Sequence, residues 1–132
     1  MRFSPMIALA AIGLFSAGAA HAAPAKTPQE RLAKALEGRV AGKPVDCIQQ
    51  RQIQSSEIIE KTAIIYRVGQ TLYVNKPESG ANFLDRNDIL VTDTHTPQLC
   101  SIDIVRLVDQ GSRFQSGTLG LGKFIPYTKP KG

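Results

Sequence analysis

Asp88, Asp93 and His95 fall within one stretch of eight residues, and together they are the parts from which hydrolytic or metal-dependent sites are built. Asp93 would orient His95 as a general base, or the three side chains would ligate a cation. His95 is, however, the only histidine beyond residue 21, with no second His or Cys ligand to join it. A zinc ligand set is therefore incomplete, and a turn residue beside Pro97 is the simpler reading. Asp85, Asp88, Asp93, Asp103 and Asp109 supply carboxylates enough for a glycosidase-type pair, but no spacing among them forces two into one pocket. Asp85 to Asp88 resembles a fragment of a calcium loop and lacks its Gly and distal Glu. Ser101 has no base at a fixed distance, and Asp103 reads as an acceptor for backbone near Cys100.

Tyr66, Tyr73 and Tyr127 with Arg67 and Arg106 offer a second chemistry, an aromatic and basic face for glycan or nucleic acid. Cross-strand packing of Tyr66 on Tyr73 is the ordinary alternative. Gly117 to Lys123 satisfies half of a phosphate-binding loop. Phe124 stands where Ser or Thr must hold magnesium, and Pro126 and Pro130 deny the helix that follows. That reading is rejected, no cofactor is expected, and the glycines of 111–122 read as loop.

Residues 1–22 read as a secretory signal peptide. Arg2 supplies the positive end, Met6 to Ala20 the apolar run, and Ala20 and Ala22 the small residues before a cleavage at Ala23. No transmembrane segment is expected after cleavage. In an oxidising compartment the only two cysteines, Cys47 and Cys100, read as a disulfide, worth ~4 kcal/mol to a domain with so small a core.

The elements that must position these side chains are short. Residues 23–44 form an N-terminal arm in which Thr27, Pro28 and Glu30 spell a capping box, and Leu32, Leu36 and Val40 share one face of a short helix. Such a helix is expected frayed or weakly docked. Residues 45–127 form a β-rich domain. Strands are expected at Ile53 to Ile59, Ala63 to Val68, Thr71 to Asn75, Ile89 to Thr94, Ile102 to Val108 and Lys123 to Tyr127, with Gly69-Gln70 as a two-residue hairpin turn. The fold class is mainly β: a small antiparallel sheet forming a partial barrel or sandwich, with a short N-terminal helix. Residues 128–132 are a basic tail.

The stretch Asp46 to Tyr127 resembles a family of short exported proteobacterial proteins classed as a domain of unknown function. The matching segments are Asp46-Cys47-Ile48, Thr62 to Arg67, Gly69 to Asn75, Gln98 to Asp103 and Leu121 to Tyr127. Members often carry four cysteines, the extra two near the positions of Ala81 and Leu119. Their joint loss here implies that the extras bond each other and that Cys47 pairs with Cys100. The resemblance also implies a looser 81–119 region, and it implies no activity.

The formal charge is +5. Five basic and two acidic residues lie in 23–44, three basic and none acidic in 123–132, and the stretch between is slightly acidic. This favours salt-sensitive attachment to an anionic envelope surface through two mobile ends over a nucleic-acid groove. The expected function is a non-catalytic exported accessory or binding protein, periplasmic or secreted from a bacterium, whose partner is an anionic envelope surface or an envelope protein. The alternatives are a small hydrolase or metal-dependent enzyme using Asp88, Asp93 and His95, and an inhibitor of a cell-wall-degrading enzyme presenting Asp85, Asp88 and Asp93.

Overall fold

The structure is a computed structural model that describes residue 13 and residues 26–131. The expected leader therefore lies outside the described residues, Gly13 excepted. One helix, α1 (Pro28–Ala35), and ten strands follow: β1 (Val40–Ala41), β2 (Cys47–Gln49), β3 (Ile53–Ile59), β4 (Ala63–Val68), β5 (Thr71–Asn75), β6 (Asp88–Thr92), β7 (Gln98–Cys100), β8 (Ile104–Asp109), β9 (Gln115–Gly120) and β10 (Phe124–Thr128). They make a five-stranded antiparallel sheet in the order β1-β10-β5-β4-β3, a three-stranded sheet β6-β8-β9 and a ribbon β2-β7. The sheets stack as an open sandwich, and none closes into a barrel.

Strand alternation divides the large sheet between two cores. Ile58, Ile64, Tyr66 and Phe124 face inward and pack with Ile48, Leu99, Val105, Leu107, Leu119 and Leu121 of the smaller sheets. Ile59, Ala63, Ile65, Leu72 and Val74 face outward, and Leu32, Ala35 and Leu36 cover them. Of the two expected states the helix takes the weakly docked one, with Leu32, Ala35 and Leu36 only partly buried. Its capping box is closed in both directions, Glu30 N–H to Thr27 Oγ1 and Thr27 N–H to Glu30 Oε2, each 3.2 Å. The i, i+8 spacing that placed Val40 on the helix is coincidental. The helix ends at Ala35 with Leu36 as its C-cap, Gly38 at φ +75° turns the chain two residues later, and Val40 pairs with Thr128 in β1.

The β4–β5 hairpin matches its expectation, with Val68 opposite Thr71 and Gly69 at φ +57° in the turn. The segment 111–122 does not. It contains β9, which pairs with β8, and Gly117 is there because a side chain would run into the Phe83 ring. The two extra short strands, β2 and β7, join through the disulfide. Cys47 and Cys100 are direct cross-strand partners, S–S 2.09 Å.

The two basic segments are not loose ends down to Thr128. Val40 lies opposite Thr128 and Ala41 opposite Tyr127. The Arg39 guanidinium clamps the same corner, donating to the carbonyls of Gln70 (2.8 Å) and Tyr127 (3.2 Å). Pro126 is accommodated because its carbonyl accepts from Gly42 N–H at 2.7 Å. The face of Pro126 that lacks a donor thus meets the short edge strand and not β5. In the 81–119 region, the bridge between Ser79 and Gly120 and the packing of Ala81 on the core containing Leu119 hold the short turn Ala81–Phe83 against β9.

Candidate binding groove

The open side of the sandwich is where its two sheets end. β3 is the last strand of one and β6 the last of the other, so neither has a strand partner beyond it among the described residues. Between them lie two adjoining cavities of about 480 and 260 Å³ that share Ser56 and Leu90 in their walls. Glu57, Arg86, Asp88 and Gln110 line the larger one. The smaller is walled by Ile53, Leu90 and Leu99, rimmed by Gln50, Ser56 and Thr92, and includes Tyr66. The amide of Gln50 is held in place by donation to Thr94 Oγ1.

Tyr66 sits on the inward face of β4, opposite Ser56 of β3 and Tyr73 of β5, and is 4% exposed. Its ring meets Phe124 edge-on at 5.9 Å. Its hydroxyl is buried with no hydrogen-bond partner among the described residues. Burial pushes the phenol far above the usual tyrosine range, so it stays protonated and available as a donor.

The aromatic and basic set read from the sequence is divided among separate faces. Tyr66 and Tyr73 lie directly opposite each other on β4 and β5 and both face the inner core. Arg67, one residue on from Tyr66, is exposed on the opposite face with Ile65 and Leu72. Tyr127 packs against the outer core of the large sheet, and Arg106 lies on the second sheet.

Asp88, Asp93 and His95 are likewise spread out. Asp88 opens β6, is buried, and accepts from Ser116 Oγ at 2.8 Å. Asp93 lies just past the other end of β6, about 16 Å along at strand rise. It is exposed and paired with Arg106 at 2.7 Å. His95 is exposed in the turn before β7. Among the described residues no three His, Cys, Asp or Glu side chains gather into a cation site. Asp85 and Asp109 serve their own turns. Asp85 accepts from Asn87 N–H, and Asp109 accepts from Gly111 and Ser112 N–H. Asp103 accepts from Cys100 N–H at 2.7 Å and braces the disulfide ribbon.

Sequence reasoning missed one buried polar device. Asn75 is fully buried, donating to the Gly122 carbonyl at 2.7 Å and accepting from the Gly122 N–H at 2.9 Å. This clasp fixes the turn that leads into Phe124, and so fixes the ring on which Tyr66 rests. An Asn ending a strand signals a turn, but not a clasp across 47 residues. No protein-family model matches the chain, and neither does any curated protein or solved structure.

Proposed function

We propose that this chain is an exported, non-catalytic accessory protein that binds its ligand in the groove between β3 and β6. The observation that carries the reading is Tyr66, which lines the smaller cavity while its buried hydroxyl has no partner among the described residues. A fold that needed only the ring at this position would be served as well by Phe, because an unpaired buried hydroxyl costs stability. One fact supports a periplasmic or secreted location: the chain carries a Cys47–Cys100 disulfide. The leader read at 1–22 and the resemblance to exported proteins point the same way. An enzyme built on Asp88, Asp93 and His95 is less favoured, because the two carboxylates stand at opposite ends of β6 in unrelated surroundings.

A second reading is favoured by one observation, the pairing of Val40 with Thr128. This pairing brings the basic arm and the basic tail to one edge of the molecule, with Lys43 and Lys129 exposed there. That edge suits an anionic envelope surface.

Photocrosslinking tests the groove. A photoreactive residue is placed at exposed Ser56 in the exported full-length chain, and the control carries it at exposed Ile104. The groove reading expects an adduct from position 56 and none from 104. Equal labelling, or none at 56, overturns it.

A further inference from the structure

We infer that the cavity floored by Tyr66 takes a neutral group, a carbonyl or amide oxygen carried on an aliphatic body. This inference rests on the groove reading above and deepens it.

The lining sets the chemistry. Ile53, Leu90 and Leu99 give aliphatic walls, and Ser56, Thr92 and Gln50 give an uncharged polar rim. No charged side chain lines this cavity. A carboxylate or ammonium group entering it would give up part of its hydration without meeting an opposite charge, whereas a neutral group has less hydration to give up. The charged groups of the groove, Arg86, Glu57 and Asp88, belong to the adjoining cavity. The groove is therefore divided into a neutral end and a charged end, separated by Ser56 and Leu90.

The phenol sets the polarity of the bond. Tyr66 lines the cavity, and burial holds its phenol protonated with no acceptor among the described residues. A carbonyl oxygen is the neutral group that accepts most strongly from such a donor, and Ser56, Thr92 and the Gln50 amide can meet the N–H of an amide. Size completes the assignment. At about 260 Å³ the cavity is smaller than the ~300–1,000 Å³ of sites that enclose a whole ligand, so it takes one end group of a longer molecule. The remainder would extend past Leu90 into the charged end.

Three probes of nearly equal shape test this on the full exported chain: isovaleramide, isovalerate and isopentylamine. They are titrated at millimolar concentration, the range open to fragments of this size, while backbone amide NMR signals are followed. The expected result is saturable shifts from isovaleramide, centred on Ser56, Tyr66, Leu90 and Thr92, with neither ion matching it. Tyr66→Phe should weaken that binding about three- to tenfold. Ser56→Phe, an exposed change that closes the rim without touching the core, should abolish it. Tighter or equal binding of either ion at the same residues overturns the neutral assignment and leaves the groove standing. Unaltered amide affinity in Tyr66→Phe overturns the role of the hydroxyl. No shift at these residues from any probe overturns both this assignment and the groove.

Discussion

Tyr66 meets Phe124 edge-on, with ring centroids 5.9 Å apart and planes inclined at 61°. The contact joins β4 to β10 across the intervening β5 and uses the tyrosine ring alone. The hydroxyl is buried without a partner among the described residues, and Tyr66 is one of the residues lining the smaller cavity between the two sheet edges. Ring and hydroxyl are therefore separable: the ring packs in the core, and the hydroxyl makes no bond among the described residues.

The position of Phe124 depends on the Asn75 clasp, and the first prediction concerns it. Asn75→Ala removes both hydrogen bonds to Gly122 and strands a buried N–H and C=O. A loss of about 2–4 kcal/mol is expected in urea unfolding. A loss well under 1 kcal/mol would mean that the turn holds without the clasp.

The disulfide should carry much of the stability of so small a domain. Cys47 and Cys100 are 53 residues apart and close the β2–β7 ribbon onto the inner core through Ile48 and Leu99. Reduction, or the double change Cys47→Ser with Cys100→Ser, should lower the unfolding free energy by ~4 kcal/mol. Urea midpoints with and without reductant measure this directly.

Acid sensitivity should trace in part to Asp109. The Ser112 and Gly111 N–H groups, at 2.8 and 2.7 Å, hold its carboxyl below the usual aspartate range. A folded pKa below the unfolded value of about 3.9 gives a contribution that is complete above that pH. It is lost as the pH falls through the folded pKa. Asp109→Asn keeps one acceptor for the turn and removes the titration. Its stability should fall less steeply than that of the parent on acidification below about pH 4.

The basic edge predicts a salt-dependent interaction. Lys129→Gln with Lys131→Gln should reduce cosedimentation with vesicles containing an anionic lipid, and added salt should erase the difference between parent and variant. Both residues are exposed beyond β10, so the fold should be unaffected.

How much was legible in the sequence depended on how local each signal was. The β3–β4–β5 meander was readable because β-branched runs are broken by Gly69-Gln70, and the short-range turn chemistry dictates the pairing. β9 was not readable, because Gly117 and Gly120 look like loop residues. They serve close approach to Phe83 and Ser79, contacts made by distant chain. Val40 had the right spacing for the helix and went instead to Thr128, a partner 88 residues away that no window reveals. The candidate site follows the same rule. Alternation places Tyr66 on one face of β4 together with Ile64, but whether an acceptor meets its hydroxyl depends on four other elements. Asp88 and Asp93 looked close in sequence, and the extension of β6 is what separates them.

The central claim is that the Tyr66 hydroxyl is kept for a ligand and not for the fold. Urea unfolding of Tyr66→Phe beside the parent, both without ligand, tests it most directly. The account predicts equal stability or a gain of up to about 1 kcal/mol, because only an unpaired buried hydroxyl is removed. A loss of more than about 1 kcal/mol would mean that the hydroxyl has a structural partner, and would contradict the claim.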